Sequence, residues 1–120
     1  MGRVEQRLAR LEKICLALPE ADVQKTGAHR AFSVRGKKFA YFTNDHHGDG
    51  KAALNCKVPP GENRELVGFD GERFFIPAYI GAKGWVALRL DLPSVDWDEV
   101  TELVKDSYRR TAPKTLASRA

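Results

Sequence analysis

Between residues 31 and 42 the chain alternates: Phe32 and Val34 point one way, Ser33 and Arg35 the other, and beyond Gly36 Phe39 and Tyr41 share a face. A repeat of two is the period of a β-strand, whose successive side chains leave on opposite sides of the backbone. The pattern breaks at Arg35-Gly36-Lys37, where glycine takes the positive φ of a tight turn without a steric penalty. Residues 32–42 are therefore predicted as a β-hairpin, which commits the chain to an antiparallel sheet.

Two amphipathic helices flank this sheet. Val4, Leu8, Leu11, Cys15 and Leu18 recur every three or four positions, with Arg3, Arg7, Arg10 and Lys13 off the stripe, until Pro19 ends the helix. Near the C-terminus Asp96 is placed to cap a second helix, with Glu99 reaching back as the other half of a capping box. Trp97, Val100, Val104 and Tyr108 form its buried stripe, Arg109 and Arg110 suit the negative end of its dipole, and Pro113 stops it. Between the helices the reading is a polar loop at 44–50, a strand at 52–58, a helical turn at 62–67, an extended piece at 73–76, a loop at 79–84 and a strand at 85–92. The expected architecture is α+β in two layers, an antiparallel β-sheet with helices packed on one face, in the order α-β-β-β-α-β-β-α. The other face is left for solvent or a partner.

With 120 residues and a hydrophobic fraction of 42%, the chain can build one core. Residues 1–112 are expected to form a single domain, and 113–120 a basic, frayed tail. No run approaches the roughly 18 apolar residues of a membrane span, and the first ten residues are charged, so a cytoplasmic monomer with no membrane partner is expected. Cys15 and Cys56 lie in apolar sequence without CxxC spacing and read as structural thiols.

The net charge of +4 comes from residues 107–120, where Arg109, Arg110, Lys114 and Arg119 meet no acid. The remainder is neutral but polarised. Lys25, Arg30, Arg35, Lys37 and Lys38 follow one another without an acid between Val23 and Asn44, whereas 91–106 holds six acids against Lys105 alone. Neither catalysis nor cofactor chemistry has a positive sign. Asp45-His46-His47-Gly48-Asp49 contains metal-ligating residue types but no HExxH or calcium-loop spacing, and reads as a solvated loop; no metal is expected. Ser33, Ser94, Ser107 and Ser118 sit in no GxSxG, and Val34-Arg35-Gly36-Lys37 lacks the frame of a phosphate loop, so no enzyme is expected.

Five segments, taken in order, resemble the MmcQ/YjbR family: residues 14–21 (ICLALPEA), 32–40 (FSVRGKKFA), 75–81 (FIPAYIG), 84–86 (GWV) and 106–109 (DSYR). The resemblance implies a small α+β fold similar to that of secretion chaperones, with two winged hairpins proposed to bind DNA. Carried onto this chain, Arg35, Lys37 and Lys38 tip the first wing, and Lys57 and Arg89 lie on neighbouring strands. Arg30 joins them as an expected phosphate contact to double-stranded DNA. The alternatives are a protein partner on the exposed sheet face, with His29, Tyr79 and Trp85 as its surface, and a small-ligand pocket around His29, Tyr79, Trp85 and Arg89. Two departures stand out: Lys25-Thr26-Gly27-Ala28-His29-Arg30 replaces an ETxGHP-like stretch, and Asn55 occupies a position where a bulky residue is expected.

Overall fold

The computed structural model describes residues 2–120, the side chain of His47 excepted. Its elements are α1 (Arg3–Leu16), β1 (Ala21–Thr26), β2 (His29–Val34), β3 (Lys37–Asn44), β4 (Ala52–Lys57), α2 (Glu62–Phe69), β5 (Phe74–Phe75), β6 (Trp85–Arg89), α3 (Trp97–Thr111) and α4 (Lys114–Ala117). Short 3-10 turns occupy His46–Gly48 and Ile80–Lys83. The strands form one sheet in the order β1-β2-β3-β4-β6-β5, every neighbouring pair antiparallel. The α+β architecture read from the sequence is the one observed.

The hairpin turns on two residues. Val34 pairs with Lys37, and Arg35 and Gly36 between them take φ of 50° and 80°, the doubly left-handed turn whose twist matches that of paired strands. A bulge lies just beyond: Phe32 pairs with Ala40 but Ser33 with Lys38, so Phe39 is an extra residue. Phe39 and Ala40 are both fully buried. The ladder between β3 and β4 opens at this point, and α3 fills the gap: Ser107 Oγ donates to Phe39 O at 2.6 Å and accepts from Lys57 N at 2.9 Å. One hydroxyl thus stands in for a backbone hydrogen bond.

Strand register sorts the side chains. Phe32, Ala40, Cys56 and Val86 form one row, and Phe42, Leu54, Leu88 and Phe74 the next, all on the helix-covered face. Onto these rows α1 packs Leu11 and Cys15, and α3 packs Val100, Val104 and Tyr108. Tyr108 stands edge-on to Phe39 at 5.3 Å between ring centroids, and its hydroxyl donates to Pro19 O at 2.5 Å. Both cysteines are free and buried, and burial pushes both thiols well up from their ordinary value.

Three local expectations are corrected. β1 was not anticipated, because only Ala21 and Val23 on this edge strand face the helices while Lys25 takes the third such position. Two apolar residues are too few to show a period. The tail is not frayed: Pro113 stands as the cap just before α4, and Leu116 is 3% exposed in the core. Asp96 caps α3, its carboxylate accepting from Asp98 N and Glu99 N, but Glu99 does not reach back. Its carboxylate pairs with Arg73, which also holds Asp70 at 2.6 Å.

Candidate functional site

On the face away from the helices, register aligns Gln24, Ala31, Tyr41, Asn55, Ala87 and Phe75 across all six strands. Residues 76–84, joining β5 to β6, arch back over this row. Two devices hold the arch. Asn63, at the start of α2 and 5% exposed, donates through Nδ2 to Gly81 O and Trp85 O, each at 3.0 Å. Gly81 lies so close to Ile76 that a Cβ there would meet Ile76 Cγ2 at 2.3 Å. At the apex Ile80 N donates to Ala78 O at 2.7 Å around Tyr79, whose φ of 66° and ψ of −58° describe a γ-turn of the strained hand. The Tyr79 side chain is 81% exposed.

Between arch and sheet lies a cleft of about 320 Å³. Ala31, Tyr41, Pro77, Ala78 and Ile80 give it apolar walls, while Gln24, Thr26, Thr43 and Asn55 bring neutral hydrogen-bonding groups into it. Asn55 is 2% exposed, and its Nδ2 donates to Thr43 Oγ1 at 3.1 Å. His29 and His46 close one end, their rings edge-to-face at 5.3 Å, and His29 Nε2 donates to Asn44 O at 3.2 Å. A second lobe of about 240 Å³ shares Thr43, His46, Asn55, Pro77 and Ala78 with the first and adds Asp49, Lys51 and Phe75.

The six cations expected to contact phosphate do not converge. Arg30 faces α1, where Glu12 accepts from it at 3.0 Å, and it also donates to the carbonyls of Gly27 and His29. Arg35 forms a two-bond pair with Glu20 at 2.6 and 2.9 Å, and Arg89 one with Asp91 at 3.1 and 3.0 Å. The Arg35 hydrogen bond holds the Glu20 carboxyl below its ordinary value. Burial pushes the Asp91 carboxyl up, but the bond from Arg89 and backbone amides outweigh it and leave it lowered. Lys37, Lys38 and Lys57 make no ion pair among the described residues. Lys38 and Lys57 share the open face at the hairpin end, Lys57 Nζ standing 5.6 Å over the Trp85 ring.

Of the expected ligand surface, His29 and Tyr79 do meet in the cleft. Trp85 does not line it: it is 5% exposed on the same open face, packed beside the Tyr41 ring at 5.2 Å between centroids. Sequence reasoning missed Gln24, Thr26, Tyr41 and Thr43 as cleft residues. The available signal was Asn55, a polar residue inside an apolar strand. In the 45–49 loop Asp45 accepts from Gly50 N at 2.7 Å and Asp49 from Lys51 N at 2.9 Å; the side chain of His47 lies outside the described residues. Among the described residues no three His, Cys, Asp or Glu side chains gather as a metal site, and no helix is long and apolar enough to cross a membrane.

The fold is similar to the crystal structure of Deinococcus radiodurans protein DR2400, which carries a DUF419 domain, with a TM-score of 0.72 and 21% sequence identity over 93% of this chain and 86% of that one. No curated protein matches the chain. The YjbR family model matches residues 16–110, from the end of α1 through most of α3 and therefore across the whole sheet. The chain belongs to the YjbR family.

Proposed function

We propose that the domain is a non-enzymatic nucleic-acid-binding protein of the cytoplasm, acting as a monomer and contacting the phosphates of duplex DNA from the hairpin end of its sheet. The observation that supports this reading is the split among its cations. Arg30, Arg35 and Arg89 are engaged by acids of the same chain, whereas Lys37, Lys38 and Lys57 form no ion pair among the described residues. A lysine on a phosphate releases condensed counterions, which makes binding salt-dependent and insensitive to sequence. Fluorescence anisotropy with a labelled duplex at low salt tests it. Replacing the three lysines by alanine weakens binding and flattens the salt slope by roughly one unit per lost contact, while Arg89→Ala leaves the slope unchanged. Absence of binding by the unmodified protein at low salt overturns the reading.

A second reading, a protein-binding adaptor, draws on two aromatic side chains held in water: Phe69 at 83% and Tyr79 at 81% exposure. It requires a stoichiometric partner in affinity purification that is lost on Phe69→Ala or Tyr79→Ala.

A further inference from the structure

The cleft beneath the 76–84 arch is unused by a lysine-based phosphate contact, and its chemistry differs from that of the hairpin. Among the described residues no carboxylate or lysine lines the larger lobe, and the guanidinium there, Arg30, is already held by Glu12 and two backbone carbonyls. A strongly charged ligand would lose its hydration there with only the His29 and His46 imidazoles at one end to replace it. A wholly apolar ligand is also disfavoured, because it would strip water from the polar side chains of the floor. Asn55 uses Nδ2 on Thr43 Oγ1 and Tyr41 O and leaves Oδ1 as an acceptor, while Gln24, in the same row but three strands away on β1, brings a second carboxamide. An acceptor at Asn55 and a carboxamide at Gln24 thus stand on either side of the Tyr41 ring, with the Thr26 and Thr43 hydroxyls beside them, the complement of a flat ring that carries hydrogen-bonding groups on its edge. The walls are flat or small: the Tyr41 ring, Pro77 and Ala78, with the Tyr79 ring at the rim. About 320 Å³ lies at the lower end of small-molecule sites.

We propose that this cleft is a binding site for an uncharged heteroaromatic ring with a hydrogen-bonding edge, of nucleobase size, seated between the arch and the Tyr41–Asn55 row. Any hydroxylated substituent extends into the second lobe toward Asp49 and Lys51. The arch is built for such a site before the ligand arrives. Asn63 and the Gly81–Ile76 contact fix its base, and the γ-turn at Tyr79 is the kind of strained backbone that surrounding structure keeps only where it is over-determined. The ring has two possible sources, a free nucleoside or an unstacked base of a single strand. The site stands independently of the lysine contacts.

The test is a titration of the ¹⁵N-labelled full chain with each of the four ribonucleosides, then with a short single strand, an abasic strand of equal length, and inorganic phosphate. At least one nucleoside, or the base-bearing strand, shifts the side-chain amides of Asn55 and Gln24 and the backbone amides of 77–80. A nucleoside that does so identifies the free source, and shifts from the base-bearing strand alone identify the strand. Ala31→Leu, which fills the cleft from β2, weakens binding at least tenfold. Tyr79→Gly, which removes the rim ring and relieves the positive φ, weakens it severalfold and serves if Ala31→Leu does not fold. The triple lysine variant leaves nucleoside binding unchanged, so failure of the phosphate reading and failure of this one are separable. The proposal is overturned if neither nucleosides nor the base-bearing strand shift these amides, if phosphate or the abasic strand shifts them equally, or if the cleft variants bind as well as the unmodified chain.

Discussion

The same six strands present two faces of opposite character. On the helix-covered face the central rows are apolar and buried, and nearby backbone groups are satisfied by side chains from distant elements, Ser107 for the opened ladder and Tyr108 for Pro19 O. On the open face Tyr41, Thr43 and Asn55 stand beneath an arch that leaves a cleft over them. Period-two alternation allows this, since neighbouring residues on one strand serve different layers. The lesson is a division of labour: one face carries stability, and the other gathers polar groups around an open cleft.

Exchanging tyrosines across the sheet is the strongest way to break that comparison. Tyr108→Ala, on the covered face, is expected to cost about 3–5 kcal/mol in urea unfolding, through lost packing on Phe39. Tyr41→Ala on the open face is expected to cost less than half as much. Equal losses would make both faces core and remove the distinction. Next in size, Ser107→Ala leaves Phe39 O and Lys57 N without their shared partner, a loss of about 1–3 kcal/mol together with faster hydrogen exchange at the Lys57 amide. A loss no greater than that of a surface serine would show that the ladder closes without it. Asn63→Ala should cost about 1–2 kcal/mol and act mainly on the arch, with exchange accelerating at the Gly81 and Gly84 amides and not in β3. Uniform acceleration across the sheet would mean that arch and sheet open as one unit.

The smallest expected effect is electrostatic. Hydrogen bonds from Arg35 and Arg73 hold the Glu20 and Asp70 carboxyls below their ordinary values. A carboxylate depressed in the folded state adds stability above its unfolded value, and that stability is lost as pH falls through the folded value. Both groups are solvent-exposed, so the contribution is screened. Glu20→Gln with Asp70→Asn should leave the melting midpoint at neutral pH nearly unchanged and flatten its decline in acid. A steep loss at neutral pH would instead place these pairs among the structural contacts.

Much of the covered face was legible before the structure. The stripes of α1 and α3, the two-residue hairpin turn and the cap at Asp96 are local, set by periodicity, glycine and a carboxylate beside free amides. Legibility failed where an element draws its stability from elsewhere. β1 shows no period of its own and is held by pairing with β2, and α4 depends on Leu116 finding the core. Asn55 was visible as an anomaly on an apolar strand, but its neighbours in the cleft, Gln24 and Pro77, are distant in the chain and are brought to it only by strand order and the arch.

By itself the sequence determined the fold class, the hairpin, the two main helices and the family, because each follows from short-range patterns or from residues matched in order. Only the tertiary structure decided which cations are paired with acids and where the cleft lies. A run of lysines and arginines on one stretch of chain alternates between faces once it is a strand. Arg30 turned to Glu12 on α1, Arg35 to Glu20, and Lys38 to the open face, so the basic stretch became three separate environments.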